Sequence, residues 1–122
     1  TGSDVTTESQ PALTPEALGQ HIYNTRCASC HQASGQGVSG MFPPLTGTDR
    51  VTGSKRPLID LILNGLSSEI EVNGIVYNGT MPPWANSLGD SQIAAVLTHI
   101  RASWGNTSSS VTAAEVAEIR SP

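Results

Sequence analysis

The chain has 122 residues, two of them cysteine, and a formal net charge of −4 from 10 acidic against 6 basic groups. That is the scale of one small domain, and with two Trp, two Tyr and one Phe an apolar cofactor built into the core would help it fold. A single lysine, Lys55, speaks against nucleic acid, which selects clustered Lys and Arg, and no run reaches the ~20 apolar residues of a membrane-spanning helix.

Residues 1–13, "TGSDVTTESQPAL", begin without Met and carry no periodicity. Their Ser, Thr and Gly content predicts a flexible tether or arm left after processing. The main domain is expected over 14–106, with an extension over 107–122. A first helix is predicted over "TPEALGQHIYNTRCASCH": Thr14 can cap it, Pro15 suits its first turn, and Leu18 and Ile22 share a face with Tyr23 and Cys27 beside them. The stretch "QASGQGVSGMFPPLTGTDRVTG" reads as irregular loop. "SKRPLIDLILNGL" reads as a short helix with Leu58, Leu61 and Ile62 on one face and Asn64-Gly65 as its stop.

Beyond it, Asn73-Gly74 between two short apolar runs predicts a tight hairpin. Asp90 is expected to cap a helix carrying Ile93, Val96, Leu97, Ile100 and Trp104 as one stripe and ended by Gly105. In "VTAAEVAEIR", Thr112 and Glu115 form a capping box, and Val111, Val116 and Ile119 dock a short extra helix.

The chemistry concentrates in "CASCH", which holds Cys27, Cys30 and His31. A redox disulfide would want a strand–helix–strand setting that the pattern does not show. Zinc needs about four ligands, leaving His21, His99 or a carboxylate to complete the set, and His21 points elsewhere on the first helix. Two thiols three residues apart with His next in line suit covalent haem, each thiol bonding one vinyl group and the imidazole falling below the iron.

A second axial ligand is then required. Met41 lies only ten residues past His31 and is expected to be packing. Met81 lies fifty residues downstream in "NGTMPPW", where Gly79 permits close backbone approach and Pro82-Pro83 stiffens the loop. Stiffness matters, because an iron–thioether bond is weak and must be held in place. Met81 is therefore the expected ligand.

With these residues in place, the chain resembles the class I, mono-haem c-type cytochromes of the bacterial respiratory type. That family carries a Gly and an aromatic eight and four residues before the first Cys, which here are Gly19 and Tyr23. Its Pro-x-Leu-x-Gly segment matches Pro43, Leu45 and Gly47, and "VNGIVYNGTMPPW" and "IAAVLTHIRASWGN" are similar to segments of small bacterial cytochromes. The resemblance runs over roughly 14–106 and departs at His99, where an aromatic, often Tyr, is usual; Trp104 is expected to recover the packing.

The resemblance implies an all-α class I cytochrome c fold, its helices wrapped around one haem c bonded to Cys27 and Cys30, with at most one small β-hairpin and an extra C-terminal helix. It implies that the Pro43 carbonyl accepts from His31 Nδ1, that His31 and Met81 are the axial ligands, and that Leu45, Tyr77 and Trp84 line the haem with Leu61, Ile62 and Leu97. Arg50, Lys55, Arg56 and the Trp84 indole are candidates for the propionates. Ala28, Val38, Met41 and Pro82 are expected at the exposed docking edge.

Filled axial positions argue against a haem sensor or a peroxidase-like enzyme and for a monomeric electron carrier, not an enzyme. It is expected in the periplasm or tethered at the outer membrane face. Its expected donor is a quinol-oxidising complex or dehydrogenase, and its acceptor a terminal haem–copper oxidase. The second reading is an electron-accepting domain or subunit of a larger dehydrogenase, nitrite reductase or oxidase complex.

Overall fold

In the computed structural model, which describes residues 14–120, Thr14 caps the first helix: its Oγ1 accepts from Ala17 N at 3.1 Å. Helix α1 (Pro15–Ile22) passes into a π-helical turn, Tyr23–Cys27, and then into α2 (Ala28–His31). The sequence predicts one uninterrupted helix here. The observed register slip, with the Ala28 N–H bonded to the Tyr23 carbonyl, escapes a search for 3.6-residue periodicity, and such bulges favour functional positions. The stretch 1–13 read as a tether lies outside the described residues.

The segment read as irregular loop contains one helical turn, α3 (Asp49–Thr52), capped by Thr48, whose Oγ1 accepts from Arg50 N. Its four residues are too few for periodicity to register. Helix α4 (Lys55–Asn64) starts and stops as the sequence predicts, but its buried face is Leu58, Ile59, Ile62 and Leu63. Leu61 is only half-buried. The reason is tertiary: the C-terminal helix packs on α4, so Ile59 and Leu63 are covered too.

Strands β1 (Ile70–Val72) and β2 (Ile75–Tyr77) pair antiparallel around Asn73 and Gly74, with φ of 52° and 84°, the tight hairpin that this dipeptide predicts.

Helix α5 (Asp90–Arg101) is one residue out from expectation at its start and shorter at its end. Gly89, not Asp90, occupies the cap, its N–H bonded to Gln92 Oε1 at 2.8 Å, while the Asp90 carboxylate is taken by Arg120 at 2.7 Å. Trp104 lies beyond the helix with φ 55°, so it is not part of the α5 stripe. Its indole turns back onto Tyr23, with ring centroids 5.0 Å apart. The capping box of α6 (Ala113–Arg120) is as predicted: Thr112 N donates to Glu115 Oε1 at 2.8 Å, and Glu115 N donates to Thr112 Oγ1 at 3.1 Å. Val111 and Val116 are buried in the common core, with Ile119 against it.

The core is organised by α1 crossing α5. A Cβ at Gly19 would overlap the Ala95 carbonyl and stand 2.9 Å from His99 Cβ, so the two helices meet backbone to backbone. One turn on, Tyr23 and His99 pack with centroids 5.8 Å apart and Trp104 closes the cluster. His99 thus takes the aromatic's place, with Trp104 completing the packing as expected.

Replacing Gly19 with Ala should therefore force the helices apart. Overpacking of this kind costs about 1–3 kcal/mol, measurable as a lower midpoint in denaturant unfolding of the holoprotein, with an unchanged slope.

Candidate functional site

His31 closes α2 and is buried, with 9% of its surface exposed. Its Nδ1 lies 2.9 Å from the Pro43 carbonyl oxygen. A carbonyl can only accept, so Nδ1 carries the proton and Nε2 keeps its lone pair. Burial holds the imidazole below the usual His range, the Pro43 bond opposing only in part, so the ring is neutral at pH 7. A neutral imidazole with its rear nitrogen anchored is what a metal ligand requires.

The residue after His31 is held as well. Gln32 has φ 72°, and its carbonyl accepts from the Tyr23 hydroxyl at 2.6 Å. Tyr23 is fully buried, and burial pushes its phenol far above the usual range. It therefore stays a donor at any ordinary pH. On the other side, Leu45 N donates to the Gly35 carbonyl at 2.6 Å. The buried Asn106 amide donates to the carbonyls of Leu45 (2.9 Å) and Ile100 and accepts from Gly47 N. The segment Pro43–Gly47 is thus tied to the end of α5.

Cys27 and Cys30 are half-buried and unbonded to each other. Burial, then the neighbouring Cys30, pushes the Cys27 thiol up to about 11, with Arg26 opposing. Among the described residues no group of three His, Cys, Asp or Glu side chains is placed to hold a metal ion, which disfavours the zinc reading of the motif.

Met81 is half-buried against the core and its backbone is pinned to the end of α4. Met81 N donates to the Leu66 carbonyl at 2.8 Å and Leu66 N donates back at 3.0 Å. Trp84 N and Ala85 N then donate to the carbonyls of Ile62 (3.0 Å) and Leu63 (3.2 Å). These belong to the last turn of α4, whose carbonyls lack intrahelical donors. Gly65, with φ 76°, makes room for this, since a Cβ there would collide with the backbone of Met81 and Pro83. The loop is held as its expected role demands.

Leu45 and Trp84 are half-buried on the rim of the core, and Tyr77 is buried at 3% exposure. Trp84 also lies under the Arg26 guanidinium, 5.8 Å from its ring centroid, a contact worth about 0.5–1 kcal/mol between the motif's helix and the Met81 loop.

One expectation is corrected. Met41 is 60% exposed and not packing, because the turn in which Met41 N and Phe42 N both donate to the Val38 carbonyl directs it outward. Of the propionate candidates, Lys55 is paired with Glu115 at 3.1 Å, and Arg50 Nε donates to the Glu71 carbonyl at 2.9 Å. His99, packed against the Tyr23 and Trp104 rings, and the exposed His21 are placed as the sequence leads one to expect.

Sequence reasoning missed Arg101 and Asn106. Arg101 is buried at 3% exposure, with Nη1 on the carbonyls of Val51 (2.8 Å) and Gly53 (2.9 Å) and Nε on that of Ser109. Both look like exposed residues at or just past the end of an amphipathic helix, and most of their partners lie about 50 or more residues away or in the extension.

The family model described as Cytochrome c matches residues 16–104. The chain is 46% identical over 95 residues to cytochrome c-552 of Thermus thermophilus, covering 75% of this chain and 71% of that protein. Against a second cytochrome c-552 of the same species the identity is the same, but the chain spans only 63% of that longer relative. It is also 38% identical over 109 residues to the cytochrome c subunit of a quinone alcohol dehydrogenase from Gluconacetobacter polyoxogenes, covering 88% of this chain and 23% of the subunit.

A Tyr23→Phe exchange keeps the ring and removes only the bond behind His31. Leaving the Gln32 carbonyl without this donor should cost about 1 kcal/mol, read from denaturant unfolding, with the visible spectrum changing little.

Proposed function

The chain belongs to the cytochrome c family, binds one covalent haem c and transfers electrons; on that premise we propose that His31 and Met81 hold the iron from opposite sides while Cys27 and Cys30 anchor the ring. The observation that carries this is the neutral, buried His31 with Nδ1 bonded to Pro43. The thioether of Met81, on a loop zipped to α4, is the soft donor that suits the other axial position.

Haem c supplies a one-electron iron couple, and a His/Met ligand pair sets its potential high. The chain's part is to keep both ligands in place through the electron's arrival and departure, so that little reorganises. Leu45, Tyr77 and Trp84 supply the apolar surround that disfavours extra charge on the ring. Redox proteins are the partners. Among them, a quinol-oxidising complex or dehydrogenase suits as donor and a terminal haem–copper oxidase as acceptor, for a monomer working in the periplasm or at the outer membrane face. Within the described residues no helix is long and apolar enough to cross a membrane, and a tether would come from the N-terminal side.

A second reading has its own support. The similarity to dehydrogenase cytochrome c subunits extends over 88% of this chain, beyond the segment the family model matches, so this chain also suits the role of electron-accepting domain or subunit in a larger enzyme. Both readings share the site.

The oxidised holoprotein should show the methionine–iron charge-transfer band, and Met81→Ala should abolish it. The same exchange should lower the potential by at least about tenfold in the ferrous-to-ferric ratio, or about 59 mV for one electron. A band that survives the exchange rejects Met81 as ligand.

Docking is expected through the small apolar edge of Ala28, Val38, Pro82 and the exposed Met41, since the single lysine is spent on Glu115. The rate of reduction of a haem–copper oxidase should then change less than about twofold between roughly 0.01 and 0.15 M salt. A steep fall with salt would point to charged docking instead.

A further inference from the structure

Helix α6 lies outside residues 16–104 of the family match, yet its last residue reaches back to the loop that carries Met81. Among the described residues, the three hydrogen bonds of the Arg120 guanidinium fall on residues 85–90. Nη1 donates to the Ala85 carbonyl at 2.6 Å, Nη2 to the Leu88 carbonyl at 2.9 Å and Nε to Asp90 Oδ1 at 2.7 Å.

The geometry of that loop shows what these bonds restrain. Its upstream end is fixed to α4 at Met81, Trp84 and Ala85. Its downstream end turns at Trp84–Leu88, where Ser87 N and Leu88 N both donate to the Trp84 carbonyl, and then enters α5 at Asp90. Arg120 spans this turn and the first residue of α5 with one rigid, planar group, which a lysine cannot imitate because it lacks the fork.

The other polar anchor of α6 makes a natural control. Glu115 pairs with Lys55 at the start of α4, far along that helix from the Ile62–Leu66 end on which the Met81 loop is zipped. It docks the same helix without touching the loop.

We propose that Arg120 is a positioning residue for Met81: it closes the downstream end of the ligand loop and so keeps the thioether from leaving the iron. The proposal rests on Met81 as axial ligand. It gives the extension beyond the family match a role at the redox centre as well as in packing.

The test uses the ferric holoprotein and imidazole as a competing ligand at pH 7. Imidazole can take the iron position only when the Met81 sulfur has left, so its apparent dissociation constant falls as the open fraction rises. Arg120→Ala should bind imidazole at least about tenfold more tightly than the parent, with Arg120→Lys in between. Lys55→Ala should stay within about twofold of the parent even though it loosens the same helix.

An Arg120→Ala protein with parental imidazole affinity overturns the proposal, and so does a Lys55→Ala protein with an equal gain. If the alanine variant does not accumulate with haem, Arg120→Lys decides, a gain of about threefold supporting the proposal and none overturning it. A parent that lacks the methionine–iron band would instead overturn the ligand assignment, so the two failures are told apart.

Discussion

The rest of the molecule hangs on the backbone contact between α1 and α5 at Gly19. Without a side chain there, the Ala95 carbonyl and His99 Cβ can approach to contact, and the following turn brings Tyr23 against His99 and Trp104. Tyr23 in turn fixes the carbonyl of Gln32, next to His31. A helix crossing thus passes directly into the orientation of the imidazole. The π-helical turn between Tyr23 and Cys27 lets one chain segment serve both duties, packing on one face and presenting the attachment motif on the next.

The Met81 loop has no helix or strand of its own to hold it. It borrows the unpaired end of α4, where orphan carbonyls accept from Trp84 and Ala85, and a reciprocal pair of bonds fixes Met81 to Leu66. The iron–thioether bond proposed for Met81 would be well served by this. The backbone bonds need no particular side chains, so the loop is positioned by α4's own unmet hydrogen-bonding capacity. The second half of the chain adds two buried polar hubs. Asn106 ties the Pro43–Gly47 segment to α5, and Arg101 gathers α3 and the start of the extension.

Much of this is legible in the sequence, and the misreadings have a common cause. Thr14, the Asn73-Gly74 hairpin and the Thr112–Glu115 box read correctly because each is a local signal whose partners lie within a few residues. The Pro43 carbonyl bond comes from resemblance alone, and the geometry agrees. Misreadings arise where a distant partner decides. Asp90 has the pattern of a cap for α5 but serves Arg120, thirty residues on. Ile59 and Leu63 are buried in a core to which α6, packed on α4, contributes Val116.

By itself the sequence determined the class of chemistry: two cysteines and a histidine in one pentapeptide, a methionine in a stiff loop, and a small core, poor in aromatics, that a large apolar group would help. It also determined most of the local starts, stops and turns, the start of α5 excepted, since capping and backbone preferences act within a few residues. What only the tertiary structure decided is which polar group meets which. Hydrogen-bond partners fifty or more residues apart, such as Arg101 with Val51 and Asn106 with Leu45, leave no periodicity behind. Whether an arginine faces water, a carbonyl or a ligand loop depends on how the helices are stacked.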